Sequence, residues 1–424
     1  MRFTDFIVND PLCCPSRATF LTGLTVRHHG VWANYAPYFD PRVTLATELQ
    51  AQGYTTIFSG KYFNRTGDLT DFRPPGWTHS LIGSTGYWHW VRWKDGKKVV
   101  GTFEPDDYSP DVLGRQALEW LAEAPADRPI YLQLAPSAPH AGVNRYGVDL
   151  GYFPAPAPRH AGDPRCSGVR PWSPPGYNEL DMGDKPAYVQ AFDGVPWPDG
   201  YPMWPTCEAL LSVDELVASV EAALAAQGRT NVLYLFTSDN GMNLGAHRML
   251  GKFTPYSVDV PLFVHWPAAL GTAPRRVNEL SANIDLAPTL CAVAGCTMGP
   301  YANGRPAPDG TSLLPLLTGE ADRLARVAVP IQFTTDTPPP GQKGVSGTPS
   351  WAGIRTSAAF PGGRQLYVEY RTGEVEHYSL AKDPWLLAND AADPAVAPLI
   401  RLLDIENDAF HDDDHAPYGS GLSR

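Results

Sequence analysis

The chain has 424 residues, too long for one small core; at roughly 150 residues per domain, it fits two or three domains or one large α/β domain with an appendage. Its 33 basic and 45 acidic residues give a formal charge of −12, which excludes a general nucleic-acid binder, because phosphate binding needs a basic surface. Hydrophobic residues make up 43%, enough for a packed core and too many for a disordered chain; no charge-free apolar run is long enough to span a bilayer, and no basic-then-apolar leader opens the sequence as written.

In chain order, residues 6–8 predict a short strand, 43–52 a helix ended by Gly53, and 54–58 a strand. Residues 111–123 predict a helix with Leu113, Ala117, Leu118 and Leu121 on one stripe, followed by a strand over 130–134. Residues 212–227 carry the clearest helical pattern, with Ser212 and Glu215 as a capping box and Gly228 as the stop. Then come a buried strand over 231–236, a strand over 261–264 and a helix over 284–294 stopped by Gly295. This alternation predicts an α/β fold, a mostly parallel central sheet sandwiched by helices.

Two regions break the rhythm. Residues 141–208 are rich in Pro, Gly, Trp and Tyr and predict a long insertion or lid. Residues 336–350 predict a loop before a small C-terminal α+β unit over 351–424, leaving 1–335 as the main domain. In the small unit, Gln365–Tyr370 and Val375–Ser379 predict paired strands.

Six cysteines are too sparse for a disulfide framework. Cys291 and Cys296 are close enough to pair locally, but small buried apolar residues are the preferred reading. Cys13 and Cys14 stand apart. Pro15 suits the first turn of a helix and Gly23 its stop, so both thiols fall at a helix N-terminus. Free amides there favour an anion and lower a thiol's pKa, and Arg17 can fork onto an oxyanion. The competing reading is a capped helix with two buried thiols.

The string from Cys13 to Gly23 resembles the sulfatase signature Cys-x-Pro-Ser-Arg-x-x-x-Leu-Thr-Gly at every fixed position. The resemblance continues in order along the chain, through Gly60-Lys61, Pro139-His140, Asp239-Asn240, Lys252 and the tail from Tyr378 to Pro384. It implies an alkaline phosphatase-like fold and hydrolysis of sulfate esters. Cys13 is then oxidised by a formylglycine-generating enzyme to formylglycine, whose hydrate is the nucleophile and a metal ligand. Asp239 and Asn240 bind Ca²⁺ or Mg²⁺, consistent with their hard oxygens. Lys61, His140 and Lys252 contact the sulfate ester, with Arg17 neutralising charge and His140 or Lys252 protonating the departing alcohol. The family's usual base lies two positions after the first lysine; here that position is Phe63, so the base stays unassigned. The Gly-Lys-Tyr-Phe-Asn string, the double cysteine and Pro75-Gly76-Trp77 look most like N-acetylglucosamine-6-sulfatases and heparan-sulfate 6-O-endosulfatases, which implies a sulfated carbohydrate substrate, with aryl sulfates as general ones.

One departure stands out. The family opens with an apolar strand ending in two aspartates that bind the metal. Only about a dozen residues precede Cys13, and Asp5 and Asp10 do not follow a strand in that way. A late start codon, a fragment and a module that only binds sulfated glycans are the three readings of this gap. A phosphate or phosphonate hydrolase of the same superfamily is the alternative activity.

Other features have plainer readings. His28 and His29 read as scaffold, and His411 to His415 as a solvated acidic tail. Tyr87, Trp88, His89, Trp90 and Trp93 read equally as core or as a platform for a sugar ring.

Overall fold

The computed structural model describes residues 1–66, 73–83, 85–335 and 347–408. The acidic tail from His411 and most of the 336–350 stretch lie outside these residues.

The first half contains β1 (Arg2–Phe3), β2 (Phe6–Ile7), α1 (Cys13–Thr22), α2 (Val26–His29), α3 (Leu45–Ala51), β3 (Thr55–Lys61), β4 (His79–Gly83), β5 (Val91–Lys94), β6 (Lys97–Val100), α4 (Ser109–Glu123), β7 (Ile130–Ala135) and α5 (Ala187–Gln190). The second contains α6 (Trp204–Ala226), β8 (Tyr234–Thr237), β9 (Leu262–His265), α7 (Pro267–Leu270), β10 (Arg276–Val277), β11 (Ser281–Ala282), α8 (Leu286–Ala294), α9 (Leu314–Thr318), β12 (Ala328–Phe333), β13 (Trp351–Thr356), β14 (Gln365–Tyr370), β15 (Val375–Ser379) and α10 (Ala397–Asp408).

The fold is α/β. One sheet runs β6-β5-β4-β3-β7, with β3 parallel to both β4 and β7. A second runs β10-β1-β9-β8. Helices α4 and α6 cover the first sheet through a core of Leu113, Trp120, Leu121, Leu216, Val220 and Leu224. Among the described residues β7 pairs only with β3, and β8 only with β9, so each has an open edge. Val232, just before β8, packs into the same core as Ile130, Leu132 and Leu134 of β7. The expectation of a buried strand at 231–236 is therefore corrected: β8 is half-buried and Phe236 is 47% exposed, because no strand covers its free edge.

The C-terminal sheet is antiparallel in the order β12-β13-β14-β15. Its strand β12 precedes the 336–350 stretch, so the sheet draws on both sides of it. Asp5, which joins β1 to β2, reaches this sheet through Arg355 at 3.1 Å and Arg364 at 2.8 Å. Asp5 is thus part of the join between the start of the chain and the last sheet.

The cysteine reading is corrected on two counts. Cys166 and Cys207 form a disulfide that ties the insertion to the first turn of α6. Cys291 and Cys296 also pair, because Gly295 ends α8 in the left-handed region at φ 77° and turns the chain back on itself. The aromatic stretch after Gly86 is core: Tyr87, Trp88, Trp90 and Trp93 are all buried. No helix among the described residues is long and apolar enough to cross a membrane.

Candidate active site

Helix α1 begins at Cys13 and stops at Gly23, whose φ of 70° needs a residue without Cβ strain. Its first turn is held from three sides. Asn34 Oδ1 accepts from the Cys14 amide at 2.9 Å, Asn283 Nδ2 donates to Ser16 Oγ at 2.8 Å, and the Asn64 amide donates to Cys14 Sγ at 3.1 Å. Cys13 is left facing the charged groups.

Lys252 Nζ lies 2.8 Å from Cys13 Sγ and 3.0 Å from Asn240 Oδ1. Arg17 Nε donates to Asp239 Oδ2 at 3.0 Å, and its Nη1 donates to the carbonyl of Lys61. One guanidinium thus ties the end of β3 to the loop after β8. Lys61 is buried as the last residue of β3 rather than on the loop after it, and its charge acts on Cys13, Asp239 and His140. His140 stands at the exposed edge, its Nδ1 2.7 Å from the Ala141 carbonyl and its own carbonyl accepting from Tyr87 at 2.7 Å. The structure therefore brings together Cys13, Arg17, Lys61, His140, Asp239, Asn240 and Lys252.

The electrostatics separate the two thiols. Burial alone would raise the Cys13 thiol, but Lys61 and Lys252, opposed by Asp239, bring it below the ordinary value. Cys14 is buried against Asn64 and is pushed up to about 12. Burial also works against Asp239, yet the fields of Arg17, Lys61 and Lys252 hold its carboxyl well below the usual range. Lys252 is raised, because Cys13 and Asp239 outweigh its burial. The His140 residue is exposed, but its ring is partly desolvated, and that desolvation, with Lys61 and Lys252, lowers its pKa against the Ala141 carbonyl.

Asp10, for which the sequence shows no strand leading into it, lies close to this site. It follows β2, is fully buried three residues before Cys13, and accepts from the Leu12 amide at 2.9 Å. Its other oxygen, Oδ2, has no hydrogen-bond partner. Burial raises its carboxyl well above the ordinary range, with Cys13 adding to the rise and Lys252 opposing it. Phe63 points away from this chemistry, packed on Phe39 at 4.5 Å between ring centres. His28 and His29 are scaffold: His28 joins Asp309 at 2.7 Å and Arg305 at 2.9 Å, and His29 meets Thr19 at 3.0 Å.

The donors fall short of a divalent-cation cage. Asp239 and Asn240 offer three side-chain oxygens, of which Asp239 Oδ2 and Asn240 Oδ1 are engaged by Arg17 and Lys252. Among the described residues no group of three or more His, Cys, Asp or Glu gathers around a common point, whereas Ca²⁺ takes six or more oxygens.

The sulfatase family model matches residues 1–296. The chain belongs to the sulfatase family. It is 29% identical over 439 residues to the N-acetylglucosamine-6-sulfatase of Homo sapiens, covering 92% of this chain and 75% of that protein. It is 27% identical over 372 residues to the extracellular sulfatase SULF-1 homolog of Drosophila melanogaster, covering 79% of this chain. Only 30% of that longer relative is spanned. Among solved structures, one in complex with its substrate D-glucosamine-2-N,6-O-disulfate superposes with a TM-score of 0.77 at 22% identity, covering 97% of this chain and 91% of that one. A phosphonate monoester hydrolase of Agrobacterium radiobacter superposes at 0.67 and 22% identity, covering 96% and 87%. These likenesses place this sulfatase in their fold.

Proposed function

We propose that the protein hydrolyses sulfate esters of a sulfated sugar at Cys13, after conversion of that residue to formylglycine. The observation that carries the reading is the ring of cations, Arg17, Lys61 and Lys252, around the start of α1, with Lys252 in contact with Cys13. A sulfuryl group is an anion with a poor alkoxide leaving group, and preorganised cations stabilise the charge that develops on its oxygens. The thiol position suits the modified residue, since Lys252 is already within hydrogen-bond reach of it. The formylglycine hydrate supplies the oxygen nucleophile.

The remaining work falls to the protein's own groups. Lys252, kept charged by Cys13 and Asp239, donates a proton to the alkoxide as the sulfur–oxygen bond to the sugar breaks. His140 is neutral near pH 7, and its Nδ1 proton is committed to the Ala141 carbonyl, which leaves Nε2 as an acceptor. This supports His140 as a proton acceptor rather than the acid. Asp239 and Asn240 are the residues that would offer hard oxygens to Ca²⁺ or Mg²⁺; because that set is short of a cage, no step here depends on the cation.

The test is the protein co-expressed with a formylglycine-generating enzyme, assayed on 4-nitrophenyl sulfate, 4-nitrophenyl phosphate and a 6-O-sulfated glucosamine. Turnover of the sulfates with an aldehyde at Cys13, found by mass spectrometry, supports the reading. A preference for the phosphate overturns it.

A further inference from the structure

Immediately after His140 the chain rises into a small hairpin. Val143 and Asp149 form an antiparallel bridge, and the Asn144 side chain accepts from the amides of Tyr146 at 2.9 Å and Val148 at 3.1 Å. The base is fixed by the Gly142 amide on the Phe153 carbonyl and the Leu150 amide on the Gly142 carbonyl. Tyr87, buried in the core, holds the His140 carbonyl just below. The hairpin is therefore a rigid projection from the wall that carries His140.

Its tip is unusual for a surface turn. Tyr146 is 77% exposed, with Val143 and Val148 also exposed beside it. The Arg145 guanidinium lies over the Tyr146 ring at 5.0 Å from its centre. Arg145 makes no ion pair with a carboxylate among the described residues, although the protein as a whole is acidic. The uncovered face of Tyr146 and a guanidinium with no carboxylate partner among the described residues, six and five residues from His140, suit a sulfated sugar: the sugar's C–H face packs on the free side of the ring, and the anionic substituent pairs with the guanidinium.

We propose that Arg145 and Tyr146 form a subsite for the sugar next to the one that bears the scissile sulfate, so that the enzyme prefers sulfated oligosaccharides over single sugars. The proposal rests on the sulfatase reading for its reaction, but its binding part stands apart from turnover.

The experiment compares the parent protein with Tyr146→Ala and Arg145→Gln, both of which leave the Asn144 turn in place. In the modified enzyme, kcat/KM is measured on 4-nitrophenyl sulfate and on a 6-O-sulfated glucosamine-containing tetrasaccharide. In a Cys13→Ala background, binding of the same tetrasaccharide and of the sulfated monosaccharide is measured by calorimetry. Each tip variant should lower tetrasaccharide kcat/KM and affinity by about threefold to tenfold, a loss of the size expected for one exposed stacking or charge-paired contact. Aryl-sulfate turnover and monosaccharide affinity should stay within about twofold. Equal losses on both substrates, or none on either, would overturn the subsite, and so would a tip that captures proteins but leaves tetrasaccharide affinity unchanged. A parent protein that binds the tetrasaccharide through the tip yet hydrolyses no sulfate ester would overturn the sulfatase reading and leave the subsite standing.

Discussion

Lys252 Nζ and Cys13 Sγ are 2.8 Å apart, although 239 positions separate them in the chain. That contact favours the thiolate, and on the proposed function the same ammonium would face the reacting group once Cys13 is modified. Lys252→Met should raise the Cys13 titration midpoint, followed by thiolate ultraviolet absorbance with Cys14→Ala as the background. In the modified enzyme it should lower kcat by about 10²–10³. An unchanged midpoint and rate would remove Lys252 from the site.

Arg17 and Asp239 make the second decisive pair. Arg17→Ala strips the main partner from a carboxylate in a crowded site, and breaking such a pair costs about 3 kcal/mol or more. The pH dependence has a definite sign. The Asp239 carboxyl is depressed in the folded protein, so its stabilisation is present above the ordinary carboxylate range and is lost as pH falls through the folded value. Urea midpoints should therefore converge between the parent and Arg17→Ala at acid pH and diverge toward neutrality. A constant gap would contradict this.

Asp10 predicts the opposite trend. Its carboxyl is raised, so its contribution is fully present below the ordinary carboxylate range, near about 4, and is lost as pH rises toward the folded value. Asp10→Asn keeps an acceptor for the Leu12 amide and removes the titration. Its melting temperature should match the parent in acid and exceed it at neutral pH. A variant less stable than the parent at pH 7 would mean that the ionised carboxylate has a partner.

Strands β8 and β9 each present an exposed phenylalanine next to the open edge of β8. Phe236 on β8 and Phe263 on β9 lie 6.2 Å apart and are 47% and 43% exposed. Open edges beside such faces recruit further strands. Light scattering should show concentration-dependent association of the protein, reduced in Phe236→Lys. A monodisperse monomer at high concentration would refute this.

The chemistry was more legible than the architecture around it. The signature from Cys13 to Gly23 marked its own helix, because Pro15 and Gly23 set both ends through backbone geometry. Strands β14 and β15 were readable from alternation around a Gly turn. Helix α6 was misjudged at its start: it begins at Trp204, and Ser212 and Glu215 lie inside it. Tertiary partners explain the difference, since Glu208 accepts from the Gly162 amide and Glu215 pairs with Arg159 at 2.6 Å rather than capping. Strands β5 and β6 carry no legible alternation because half-exposed or charged residues, such as Lys97 and Lys98, mask it. Asp10 had no local signal at all; its importance comes from burial beside residues far along the chain.

The bond between Cys166 and Cys207 closes a loop 41 residues long around most of the insertion. In the chain-entropy view such a closure stabilises by about 4 kcal/mol, and it persists only where thiols are kept oxidised. Conversion of Cys13 as proposed needs the reverse, a thiol still free and reachable, yet folding buries it to 2% exposure. On the proposed conversion of Cys13, the two chemistries set an order of events: a modifying enzyme must reach the thiol before the chain folds around it.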